Sequence, residues 1–66
     1  LLDNDFSIKV YIRFRDKEEL KGLEILSVEE EYKSANTNFI IANVNLKSLY
    51  KYKGNKESKV FICACE

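Results

Sequence analysis

Phe6, Ile8, Val10, Ile12 and Phe14 alternate with Ser7, Lys9, Tyr11, Arg13 and Arg15. Successive side chains of an extended chain leave opposite faces, so this period of two predicts a half-buried strand. Its β-branched and aromatic residues reinforce the assignment. Asp16 then opens a short helix, with Glu19 completing a capping box and Gly22 available to end it. Leu20 is that helix's inward residue.

Residues 23–33 pull in two directions. Glu, Leu and Lys favour helix. At about 100° per residue, however, Leu20, Leu23, Ile25, Leu26, Val28 and Tyr32 scatter around the circumference instead of forming a stripe. The segment therefore reads as a strand, with Leu26, Val28 and Tyr32 on one face and Leu23 and Ile25 on the other. A long helix over residues 16–34 is the rival. Residues 34–38, S-A-N-T-N, form a turn.

A third strand follows, with Ile40, Ala42, Val44 and Leu46 facing one way and Phe39, Ile41, Asn43 and Asn45 the other. Leu46, Leu49, Tyr50 and Lys53 then recur at helical spacing, and Gly54 stops that helix. Residues 59–65 make a last strand in which both faces are apolar. Val60, Ile62 and Ala64 lie on one side, and Phe61, Cys63 and Cys65 on the other.

The predicted fold is α+β. It has two layers, a four-stranded antiparallel sheet with two short helices, in the ferredoxin-like order β-α-β-β-α-β. A small curled β-barrel and a β-α-β-β layout are the alternatives. Residues 1–66 form a single small domain.

Composition narrows the function classes. The chain has no His, which removes imidazole acid–base chemistry and imidazole metal ligands. It has no Met, even at position 1, and so reads as a processed product, a trimmed chain or part of something longer. No apolar run approaches the ~20 residues of a membrane helix. Two cysteines two apart are not a secreted disulfide framework, and the expected setting is intracellular and cytoplasmic.

Formal net charge is zero, but the charges are segregated. Residues 16–31 hold seven acids and two lysines, and residues 47–59 hold five lysines and one glutamate. One part of the surface is acidic and another basic.

Four constellations carry candidate chemistry. Lys9, Tyr11, Arg13 and Arg15 share the polar face of the first strand, where they could hold phosphates and stack a base. The plain alternative is a solvated face with Arg13 opposite a glutamate. Tyr50, Lys51, Tyr52, Lys53 and Lys56 form a basic aromatic cluster. It suits nucleic acid or an acidic protein, or is simply the soluble side of a helix with Tyr50 half-buried.

Glu29, Glu30 and Glu31 alternate up and down a strand. They do not converge on one metal, and they guard an edge against aggregation. Cys63 and Cys65 point the same way. They cannot complete a zinc site alone, although two copies across a two-fold axis would supply four thiolates. Small, close-packing core residues are the preferred reading.

The two-sided apolar character of the last strands raises a further expectation. A sheet with helices on one face should be polar on the other. Here Phe39, Ile41, Phe61 and Cys63 would form an apolar patch on the open face, which marks an interaction surface. The expected function is a small protein-interaction module that self-associates or docks on a partner. It has no catalytic activity, no cofactor and no membrane association. The alternative is a nucleic-acid-binding protein using the two basic aromatic clusters.

Overall fold

The computed structural model describes residues 6–54 and 59–65. Four strands form one open sheet, wholly antiparallel. They are β1 (Ser7–Phe14), β2 (Ile25–Ser34), β3 (Thr37–Asn45) and β4 (Phe61–Ala64). Their spatial order is β2-β3-β1-β4. β2 and β4 remain separate edges, so the curled barrel does not form. Among the described residues there is one α-helix, α1 (Leu46–Lys53), which follows β3 directly in the chain.

The α+β class and the antiparallel sheet match expectation, but the two-helix ferredoxin-like arrangement does not. The first expected helix is a single 3-10 turn, Lys17–Leu20. The capping box is present: the Asp16 carboxylate accepts from the Glu18 amide, and Glu19 Oε1 accepts from the Asp16 amide. What the segment lacks is length and an apolar stripe. Only Leu20 faces inward, and one turn cannot offset the cost of nucleating a helix. Gly22, at φ +94°, then swings the chain through the left-handed region toward β2.

The core lies on one face of the sheet. β1 contributes Val10, Ile12 and Phe14, β3 contributes Ile40, Ala42 and Val44, and Leu23, Leu49 and Tyr52 close over them. The register sets Val10 opposite Ala42 and Ile12 opposite both Ile40 and Ile62. α1 starts from Asn45, whose side-chain oxygen accepts from the Ser48 amide at 3.0 Å. The helix turns Leu49 and Tyr52 inward and leaves Tyr50 68% exposed. Tyr50 is therefore not half-buried as expected; the buried tyrosine of the helix is Tyr52, two residues on.

β2 is a strand, as expected, but its faces differ from a strict alternation. Bulges between Ile25 and Ser27 and between Val28 and Glu30 each add one residue. Each extra residue inverts the period, because a one-residue slip exchanges faces. Ile25 and Val28 therefore pair with Val44 and Ala42 on the core side, and Tyr32 sits beside Phe39 on the open side. Leu23, expected on this strand, precedes it and is buried.

Candidate interaction surface on the open sheet face

No described element covers the second face of the sheet. The cross-strand pairings lay out its side chains in rows. One row runs Tyr32, Phe39, Arg13, Phe61 from β2 to β4. The next runs Glu30, Ile41, Tyr11, Cys63. Toward the other end of the strands, Asn43 lies between Lys9 and Ser27. The four residues expected to form an interface, Phe39, Ile41, Phe61 and Cys63, thus share one face. They are not contiguous: Arg13 separates the two phenylalanines, and Tyr11 separates Ile41 from Cys63.

The intervening side chains tie the surface together. The Tyr11 and Phe39 rings stack at 5.9 Å between centroids, with 23° between their planes. The Arg13 guanidinium lies 5.2 Å from the centre of the Phe61 ring, a cation–π contact. Tyr32 and Phe61, at opposite margins of the row, are 55% and 48% exposed. The surface is an aromatic plate with a cation set into it.

The β2 margin is acidic. Glu29 accepts from Asn43 Nδ2 at 2.8 Å and lies 3.4 Å from Lys9 Nζ. The Asn43 hydrogen bond, followed by the Lys9 charge, holds its pKa below the ordinary glutamate value. The Tyr32 hydroxyl donates to Glu30, which pushes the phenol pKa upward. Glu29, Glu30 and Glu31 are all exposed on this edge strand. With the two bulges they make β2 a poor template for edge pairing.

The nucleic-acid set divides. Lys9, Tyr11 and Arg13 lie on the open face, with Arg15 just beyond the end of β1. Tyr50, Lys51, Tyr52 and Lys53 belong to α1, which packs on the opposite face through Leu49 and Tyr52. Lys56 lies outside the described residues. The two clusters therefore cannot act as one surface. Lys9 is also engaged by Glu29.

Two cations that did not stand together in the sequence reading do so in space. Arg13, Arg15, Glu19, Thr37, Phe39 and Lys59 line a groove of about 560 Å3 at the end of the plate. Lys59 is far from Arg13 in sequence. Only the pairing of Arg13 with Phe61, two residues after Lys59, reveals the meeting.

Cys63 is exposed and Cys65 half-buried, and neither forms a disulfide. Cys63 is therefore not the close-packed core residue expected. The second face of β4 is not covered, because the strand is a short edge. Among the described residues no group of three metal-ligating side chains gathers. No helix among them is long and apolar enough to cross a membrane.

No protein-family model matches the chain. Comparison with curated proteins and with solved structures finds no significant match either.

Proposed function

We propose that this chain is a protein-interaction module whose open sheet face pairs with a second copy of itself. The observation that carries the reading is the row Tyr32–Phe39–Arg13–Phe61, backed by Ile41 and Tyr11, on a face that no described element covers. Tyr, Phe and Arg are the side chains that concentrate binding energy at protein interfaces.

Charge favours a copy of the same chain as the occupant. Glu30 lies at the β2 margin, whereas Arg13, one row along the sheet, lies toward β4. A two-fold axis along the strands turns β2 of one copy over β4 of the other. That brings unlike margins together, as a closed isologous interface requires. The reading assigns the chain no catalysis and keeps the cytoplasmic setting expected from its two thiols. Sedimentation velocity over a rising concentration series tests it. A dimer that dissociates when Phe61 is replaced by Asp is expected. A monomer at every concentration overturns it.

A specific observation also favours a second reading, single-stranded nucleic acid on the same face. Stacked and cation-bearing rings offer flat surfaces to bases, and stacking is tolerant of sequence. Titration with a mixed single-stranded oligonucleotide at two salt concentrations tests this reading. Binding that weakens with salt supports it, and no binding at low salt removes it.

A further inference from the structure

We propose that the groove at the end of the sheet holds the phosphate of a terminal nucleotide, with its base on the neighbouring aromatic plate. This inference rests on the nucleic-acid reading and narrows it to one end of one face.

Three cations, Arg13, Arg15 and Lys59, line the groove. None of them forms an ion pair among the described residues. The one acid there is Glu19, whose Oε1 already accepts the Arg15 and Asp16 amides at 3.0 and 3.2 Å. One oxygen of its carboxylate is thus committed to the 3-10 turn. The lining carries a net charge of two positive: three cations less one carboxylate.

The groove also has a built wall. The Arg13 guanidinium lies over the Phe61 ring at 5.2 Å, a contact through its face that uses none of its N–H donors. A planar guanidinium matches the geometry of phosphate oxygens through paired N–H groups. The Thr37 hydroxyl supplies a neutral donor. Phe39 both lines the groove and stacks on Tyr11, so the groove adjoins the aromatic plate. A bare anion would use only the cations. A phosphate joined to a flat ring uses both features, which selects a nucleotide over inorganic phosphate.

Fluorescence anisotropy tests this at concentrations where sedimentation gives the monomer. A short single strand carries a dye at its 3′ end, with or without a 5′-phosphate. The phosphorylated strand is expected to bind roughly tenfold tighter. Arg15→Glu and Lys59→Glu should each abolish that preference. Lys51→Glu, the same charge change on the far side of the sheet, should retain it, and circular dichroism checks that all three variants fold. Adenosine monophosphate should compete where adenosine does not. Equal affinity with and without the phosphate overturns the inference, as does a preference that survives both charge reversals. A salt-dependent strand that shows no phosphate preference removes the groove and leaves the wider reading standing. Direct binding of adenosine monophosphate, read as NMR shift changes at Arg13 and Phe39, without any strand binding keeps the groove and removes the wider reading.

Discussion

The Tyr52 hydroxyl donates to the backbone carbonyl of Glu19, thirty-three residues away in sequence. This one bond fastens the end of α1 to the 3-10 turn, the two pieces that roof the sheet. Tyr52 is buried, so the bond is shielded from competing water. Replacing Tyr52 by Phe keeps the ring and removes the donor. The expected loss is about 1 kcal/mol of unfolding free energy, the usual net value of such a bond. Urea denaturation of the two proteins measures it.

Ile12 sits at the centre of the core, with no exposed surface, between Ile40 and Ile62. Truncation to Ala should cost about 2–5 kcal/mol through lost burial and the cavity left behind. A domain of this size commonly has only ~3–5 kcal/mol to lose. Ile12→Ala should therefore be largely unfolded at 25 °C by circular dichroism. Leu26→Ala, on an exposed bulge of β2, should shift the urea midpoint little.

β1 was legible because its apolar residues alternate without interruption and the register keeps them on one face. The capping box of Asp16 and Glu19 was legible as well, since it depends on local spacing. The length of the turn it caps was not, because caps do not supply the inward stripe that a helix needs. The faces of β2 were hidden by two bulges, which leave no mark on the identity of Leu26 or Glu29. The open-face patch was half legible. Alternation alone assigns Phe39, Ile41, Phe61 and Cys63 to one side. That Arg13 and Tyr11 fall between them follows from strand order, which no local pattern encodes. The groove cations required that same order.

Asn45 ends β3 and begins α1. Its amide donates to the Glu24 carbonyl, and its side chain caps the helix through the Ser48 amide. Ser48 in turn accepts from the Glu24 amide at 2.9 Å. Asn45→Ala should cost about 1 kcal/mol, the typical value for a lost cap. Asn45→Asp should recover most of that loss, because it restores the acceptor. Thermal unfolding of the three proteins gives the comparison.

Glu29 offers a test in pH. Its pKa is lowered in the folded chain by the Asn43 hydrogen bond and then by Lys9. A depressed carboxylate contributes stability above its unfolded pKa and loses it as pH falls through the folded value. The affected window therefore extends below the ordinary glutamate range. Asn43→Ala should raise the Glu29 midpoint toward the ordinary value, and Lys9→Met, which removes both a charge and a hydrogen bond, should raise it as well. Carbon-detected NMR titration of the Glu29 carboxyl resolves both. An unmoved midpoint in Asn43→Ala contradicts the assignment of the main cause.

The self-association reading makes its sharpest prediction at Phe61. The ring is half exposed, at the margin of the sheet, and its main described partner is the Arg13 guanidinium. Truncation to Ala removes little from the core and should leave the urea midpoint nearly unchanged. At the proposed interface the same truncation removes an aromatic anchor that the two-fold axis sets over the β2 margin of the other copy. A residue in that role costs at least about 2 kcal/mol, which weakens dimerisation roughly 30-fold. Tyr50→Ala supplies the control, since Tyr50 is more exposed but lies on α1 across the sheet. Sedimentation equilibrium should show the dimer constant weakened by Phe61→Ala and unaltered by Tyr50→Ala. Equal behaviour of the two variants would move the contact off the open face. A loss of dimer accompanied by a lowered urea midpoint would assign Phe61 to folding instead of pairing.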